Sequence, residues 1–258
     1  MAFLEILIIK ENFVFLLKVF LAAEIGSNWE GSINKAKKII LECKKSGADA
    51  VKFQMWRAED LYHGHNLFKT IKKSELSFKQ AEILKYFSDS IGIEFFCSVF
   101  YPEAVDFLEN LDVKHYKIAS RTCILKDPHS IETLNAVNQT KKPTFVSMGM
   151  GGNRKLIEKS LSKNKTHFCY CISEYPLNIN KINWKNSVNF PGFSDHTLGI
   201  TAPIVYSTLM HQNKAKSIFI EKHVKLPKSK SLDASTSIDT NQLSIMNHTV
   251  REIAKIKL

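Results

Sequence analysis

Four things are scarce in this sequence: long apolar runs, paired cysteines, glycine-rich turns and domain linkers. Each scarcity removes a class of protein. The apolar segments "MAFLEILII" and "FVFLLKVFLAA" are interrupted by Glu5, Lys10, Glu11 and Lys18, so neither supplies the ~20 uninterrupted residues of a membrane helix. The start also lacks the basic leader segment of a secretory signal. Residues 1–18 are therefore read as an extension, with a strand pair turning near residues 10–12 and capping one mouth of the following domain; a misassigned start codon is the alternative. The five cysteines, Cys43, Cys97, Cys123, Cys169 and Cys171, form no C-x-x-C pair and no disulfide framework. Cys169 and Cys171 share a strand face, but two thiols do not make a zinc site. An odd number of thiols without a leader implies the reducing cytoplasm.

The charge is lopsided, with 36 Lys and Arg against 25 Asp and Glu, a net +11. The basic residues are spread along the chain and match no nucleic-acid-binding signature, so neither nucleic acid nor membrane is an expected partner. Two readings remain: a lysine-rich surface, or a positive field that draws in an anionic substrate.

No low-complexity tract divides the chain, and hydrophobic content of 44% over 258 residues supports a large core. What recurs is a short β-branched or aromatic run, a polar turn and a longer helical pattern. "VFLAAEIG" precedes a helix over 32–46, and "DAVKFQ" leads through a long loop to one over 78–90. "IEFFCSVF" precedes 103–111, "VKHYKIAS" precedes 129–140, and "PTFVSMGM" precedes 154–162. "THFCYCIS" opens a sixth unit with a poorly marked helix, "VNFPGFSDH" precedes 200–211, and "SIFIEKH" precedes 241–255. Alternation of this kind means a parallel sheet covered by helices. Eight units closing on themselves make a (β/α)₈ TIM barrel, which typically takes ~250 residues. The rival open sheet announces itself with a glycine-rich first turn, and "EIGSNWEG" lacks that spacing. Residues 19–258 are thus predicted to form the barrel.

Barrel chemistry sits at the C-terminal strand ends, and here those ends are polar. Strand one ends in Glu24, strand two carries Lys52 and Gln54, and strand four carries Lys117 and Ser120. Strand five ends with Ser147, strand six with Ser173 and Tyr175, strand seven with Ser194, Asp195 and His196, and strand eight with Glu221, Lys222 and His223. Residues two apart share a face, so Ser194 with His196, and Glu221 with His223, can converge from neighbouring strands. That suits a metal with open positions. Two lysines inside apolar runs need a bound anion or a local carboxylate, since burying an unpaired ammonium costs several kcal/mol, roughly. Ser147, Ser194 and the "GMGG" amides can add phosphate donors. His63 and His65 read as solvated loop residues, and His115 as a packing residue inside the barrel.

Seven of these strings, "AEIGSN", "GADAVKFQ", "YKIAS", "SMGM", "SEYP", "FSDHTLG" and "EKHV", run in order from about residue 19 to 256, and together they resemble the N-acetylneuraminate (sialic acid) synthase family. That family includes pseudaminic and legionaminic acid synthases. The resemblance implies condensation of phosphoenolpyruvate with an open-chain N-acetylated amino sugar, giving a nonulosonic acid and phosphate. It implies that Lys52, Lys117, Ser147 and Ser194 hold phosphoenolpyruvate, with Gln54 and Ser120 beside them. His196 and His223 match metal ligands, with manganese the usual divalent ion and magnesium or cobalt as alternatives. Glu24 matches a carboxylate that positions or deprotonates water, Tyr175 a substrate-site tyrosine and Glu221 a sugar-contacting carboxylate. Asp233 in "LDASTS" best matches an acidic residue downstream of the metal histidine.

Two departures stand out. The family usually places a glycine and an acidic residue after the "KIAS" serine, where this chain has Arg121 and Thr122. The family's C-terminal antifreeze-like domain is expected to be absent, which leaves a homodimer, or a separate chain supplying that domain, as expected partners beside the small-molecule substrates. Two other functions stay open on the sequence: a Schiff-base aldolase using Lys52 or Lys117, and a barrel that binds a phosphorylated ligand without catalysis.

Overall fold

Inward and outward positions alternate along every strand of this chain, and the alternation builds the molecule from the axis outward. The computed structural model describes residues 16–257; the proposed hairpin at the start lies outside the described residues. In chain order the elements are β1 (Lys18–Glu24), α1 (Ile33–Lys45), β2 (Ala50–Met55), α2 (Ala58–Tyr62), α3 (Phe68–Lys73), α4 (Phe78–Ser90), β3 (Glu94–Val99) and α5 (Pro102–Asn110). They continue with β4 (Tyr116–Ile118), α6 (Ser130–Thr140), β5 (Thr144–Ser147), α7 (Arg154–Ser160), β6 (Thr166–Cys171) and α8 (Trp184–Ser187). The last are β7 (Gly192–Asp195), α9 (Thr201–Gln212), β8 (Ser217–Lys225), β9 (Ile238–Asp239) and α10 (Thr240–Ile253). Each strand from β1 to β8 pairs in parallel with the next, and β8 pairs with β1, so the sheet closes into the expected (β/α)₈ barrel.

The helices form where the sequence supplies a stripe and a cap. In α1, Ala36, Ile39, Ile40 and Cys43 follow helical spacing and are buried, Ser32 caps the first turn, and Lys44 and Lys45 face the C-terminal end of the dipole. A reciprocal capping box, Ser77 with Gln80, fixes the start of α4, and Asp239 with Gln242 does the same for α10. The loop expected between β2 and α4 instead contains α2 and α3. Neither has a side-chain cap, and both are too short to show periodicity. The weakly marked sixth helix is the single turn α8. No helix among the described residues is long and apolar enough to cross a membrane.

Two apolar layers flank the strands. The outer one lies under the helices and includes Leu21, Val51, Phe53, Phe95, Tyr116, Val146, Phe193 and Ile220. The inner one, on the axis, is an aromatic floor of Phe20, Phe96, Phe145 and Phe219 with Ala22, Ala50 and Cys169. Phe145 and Phe219 stack with ring centroids 3.8 Å apart. His115 enters this floor beside Phe20 and Phe145, with Nδ1 2.5 Å from Glu94 Oε1. Two residues further along the same strands the inward positions turn ionic.

Candidate active site

Strand register assembles the ionic layer. Glu24 on β1 lies opposite Lys52 on β2 and His223 on β8, while Ser194 on β7 lies opposite Glu221 on β8. Ser98 on β3 lies opposite Lys117 on β4. These residues line a chamber of about 60 Å³ at the C-terminal mouth, together with Gln54, Ser120, Ser147, Cys171, Tyr175 and His196. A wider chamber of about 300 Å³ shares Gln54, Ser120, Tyr175 and His223 with it and adds Tyr62, Arg121, Ser173 and Asp233. The residues assigned to the site from the sequence therefore come together, with Asp233 in the outer chamber; Asp195 and Lys222, at the same strand ends, line neither chamber. A hollow of about 310 Å³ at the opposite end of the barrel, lined by Lys85, Asp89, Glu94, Asp112 and Lys114, holds none of them.

Both lysines are buried, and both are already paired. Lys117 Nζ donates to the two carboxylate oxygens of Glu221 at 2.8 and 2.7 Å. Lys52 Nζ contacts Glu24 Oε2, donates to Ser98 Oγ at 2.8 Å and lies 3.7 Å from Glu221 Oε2. Ser194 Oγ donates to Glu221 Oε1 at 2.8 Å, and Gln54 Nε2 donates to Glu24 Oε1 at 2.6 Å. Two cations thus face two carboxylates. Glu221 sits between the lysines at the base of the site rather than in the outer chamber.

The two carboxylates respond differently to this arrangement. Burial raises Glu24 from its usual range to about 7, with Lys52 only partly offsetting the cost and Glu221 adding repulsion. Burial also pushes Glu221 up, but Lys117, Lys52 and the Ser194 hydroxyl outweigh it and hold Glu221 well below the usual carboxylate range. Burial opposes the charge on Lys117, and Glu221 more than compensates, so the ammonium is held above its ordinary value.

The two imidazoles lie with ring centroids 5.6 Å apart, and Tyr175 packs on His196 at 4.2 Å. His196 Nδ1 faces the Ile172 carbonyl oxygen at 2.8 Å, and the ring also interacts with the Cys171 thiol; a proton on Nδ1 leaves a lone pair on Nε2. His223 is lowered to about 4 by burial, with Asp233 only partly offsetting it, so the ring is neutral near pH 7. His223 Nδ1 and Ser147 Oγ are buried without a hydrogen-bond partner among the described residues, and Asp233 Oδ2 is 4.0 Å from His223 Nδ1. Two neutral-capable imidazoles, an orphaned ring nitrogen and nearby carboxylates fit a divalent cation with open positions. Among the described residues no group of three or more His, Cys, Asp or Glu is placed to hold a metal ion, so a cation here would rest on the two imidazoles and on ligands from outside the chain.

Sequence reasoning missed Ser98 and Cys171. Ser98 has inward parity two residues after Phe96, and that signal was available. Cys171 lies in register with Ser194 and 3.6 Å from Ser120 Oγ. Burial pushes its thiol up, but His196, Lys117 and Ser120 outweigh that and bring it down to about 7. In the outer chamber, Arg121 is tied to Asp127 by Nε and Nη2 at 2.6 and 2.8 Å and faces the Tyr62 ring at 5.3 Å.

Comparison with known proteins agrees with this geometry. The NeuB family model matches residues 39–257. The chain belongs to the NeuB family. An uncharacterized protein of Methanocaldococcus jannaschii is 35% identical, the match covering 92% of this chain and 71% of that one. The pseudaminic acid synthase of Campylobacter jejuni is 29% identical, covering 91% and 74%. The crystal structure of the N-acetylneuraminic acid synthetase of Leptospira borgpetersenii, in complex with citrate, superposes with a TM-score of 0.80 at 26% identity, covering 92% of this chain and 84% of that one. This NeuB-family barrel is therefore similar to synthases of sialic-acid-like sugars.

Proposed function

We propose that this NeuB-family barrel condenses phosphoenolpyruvate with an N-acetylated amino-sugar aldehyde to give a nonulosonic acid and phosphate, in a reaction that depends on a divalent metal. The observation that carries the reading is the buried ionic layer: two lysines and two carboxylates with opposite proton affinities, beside two imidazoles, at the catalytic mouth of a TIM barrel. A carboxylate held near 7 at this mouth suits proton transfer near neutral pH.

The charge balance supports an anionic substrate. When all four groups are ionised, Glu24, Lys52, Lys117 and Glu221 sum to zero, so an incoming anion meets lysines that are already paired. Glu24, at about 7, takes up a proton at little cost near neutral pH, and this releases the charge of Lys52 to the substrate. The inner chamber of about 60 Å³ holds about two waters. Phosphoenolpyruvate therefore spans both chambers, with its anionic end at Lys52, Lys117, Ser147 and Ser194 and the amino sugar in the outer one against Tyr175, Asp233 and Arg121. C3 of phosphoenolpyruvate bonds to the aldehyde carbon, whose oxygen takes a proton. Water adds at C2, and phosphate departs with its bridging oxygen. Glu24 is placed to pass a proton at the first step or accept one from water at the second. His196 and His223 would hold the metal, manganese in our reading, which supplies Lewis-acid polarisation of the aldehyde.

The Schiff-base alternative fares poorly. A nucleophilic lysine needs its ammonium destabilised, yet Glu221 holds Lys117 protonated and Glu24 pairs with Lys52. The test is phosphate release from phosphoenolpyruvate with mannosamine-, legionaminic- and pseudaminic-type precursors, with manganese supplied or chelated. Release that requires both an amino sugar and the metal is expected; full turnover in chelator, or release with no sugar present, would overturn the reading.

A further inference from the structure

A second buried ionic cluster lies behind the two imidazoles, and the proposed reaction makes no use of it. Asp195 and Lys222 alternate with the cavity residues Ser194, His196, Glu221 and His223, so their side chains leave β7 and β8 on the outer face of the barrel. Register sets them directly opposite each other. Lys222 Nζ donates to Asp195 Oδ2 at 2.6 Å and to the Thr197 carbonyl oxygen. Asp195 Oδ1 accepts from the Thr197 backbone N–H at 2.9 Å, and Oδ2 accepts from the Thr197 hydroxyl at 3.0 Å. None of the three residues is more than 1% exposed.

The surroundings make the pair conspicuous. The neighbouring outward residues Phe193, Ile220 and Val224 belong to the apolar layer beneath the helices. A buried ion pair in such a layer contributes no more stability than well-packed apolar side chains of similar volume, and often less. What this one does contribute is a fixed distance. The ring Lys222–Asp195–Thr197 ties the peptide just after His196 to the residue just before His223. His196 is held from its other sides too: the Ile172 carbonyl faces its Nδ1, and its own carbonyl oxygen accepts from Leu177 N and Thr236 Oγ1, each at 2.8 Å. His223 Nδ1 has no such partner among the described residues, so its placement relative to His196 depends on the strand that Lys222 anchors.

We propose that Asp195 and Lys222 are positioning residues which set the separation of His196 and His223 and thereby the affinity of that pair for a divalent cation. The inference rests on the reading of the two histidines as metal ligands and extends it to residues that touch neither metal nor substrate. Manganese(II) alone is the probe, with free ion counted by electron paramagnetic resonance on the full chain. Lys222→Met alone strands a buried carboxylate and is expected to unfold the protein. The informative variant is Asp195→Asn/Lys222→Met, which removes both charges while keeping the shape. It should retain the far-ultraviolet circular dichroism of the wild type and a Tm within a few degrees, yet bind manganese about 10- to 100-fold more weakly, the usual range for loss of groups that orient metal ligands. His223→Gln serves as the ligand control and should abolish binding.

A folded double variant with wild-type manganese affinity would overturn the proposal while leaving the metal reading intact. Failure of the wild type itself to bind manganese would overturn both, and that result appears before any variant is made. Should the double variant not fold, Lys222→Arg keeps the charge and shifts the donor. Weakened manganese binding in that variant supports the positioning role, and unchanged binding refutes it.

Discussion

Replacing Glu24 by glutamine should make the metal-free protein more stable above neutral pH while abolishing phosphate release. Burial holds Glu24 at about 7 against 4.5 for the unburied group. At about 1.4 kcal/mol for each tenfold change in proton affinity, keeping it ionised in the fold costs roughly 3 kcal/mol. The folded state binds the proton more tightly than the unfolded chain. The Glu24 contribution therefore falls as pH rises from 4.5, and the loss is complete above about 7. Glutamine has nearly the same shape, can still pair with Gln54 and carries no charge to bury. The variant and the wild type should melt together near pH 4.5 and separate progressively toward pH 8. By then the variant leads by about 3 kcal/mol, or roughly 6–12 °C at this chain length. Melting curves in chelator, followed by circular dichroism at several pH values, measure the gap. A variant less stable than wild type at pH 8, or a gap independent of pH, would refute the reasoning, because Glu24 would then be a net stabilising partner of Lys52.

Three further outcomes follow from the same layer. Lys117→Met strands Glu221 and should cost about 3–5 kcal/mol in urea denaturation, with most of it recovered in Lys117→Met/Glu221→Leu; equal losses in the two variants would contradict the pairing. Manganese affinity should rise with pH as His196 gives up its proton, by at most about tenfold per pH unit for one displaced proton, because Cys171 and the Ile172 carbonyl hold His196 above its ordinary value despite burial. A flat profile between pH 6 and 8 would exclude His196 as a ligand. Iodoacetamide should label Cys171, at about 7, well before Cys123 and Cys169, which burial holds at about 12, and phosphoenolpyruvate should slow the labelling. Mass spectrometry of the labelled peptides reads both effects, and indiscriminate labelling would count against a thiol inside the chamber.

The sequence made the barrel legible because its periodicities are local. The stripe and caps of α4 allow its limits to be read from Phe78 to Ser90 without a structure, while α2 and α3, lacking both stripe and cap, pass for loop. The site residues were legible for a related reason: a polar side chain at inward parity near a strand end has one place to go. Pairing was not legible. Glu221 and Lys117 are 104 positions apart, and only the register of a closed barrel brings them together. Asp195 and Lys222 fall between the inward residues of their strands, and only the register of β7 and β8 shows that they pair with each other.

The aromatic floor explains why this pairing matters. Phe96, Phe145 and Phe219 close the axis one step below Lys52, Ser147 and Glu221, so the ionic layer rests on an apolar floor. In that low-dielectric setting a large excess of one sign of charge is costly. A trianionic substrate can enter only if positive charge enters with it or negative charge is neutralised. On the proposed reading, protonation of Glu24 would meet part of that demand and a divalent cation at His196 and His223 the rest. Substrate and metal binding should therefore be coupled, each tightening the other by the same factor. Titrating phosphoenolpyruvate with and without manganese, and manganese with and without phosphoenolpyruvate, measures the two factors independently. Independent binding of the two ligands would mean that the lysines alone carry the substrate, and the charge-balance account of the site would fail.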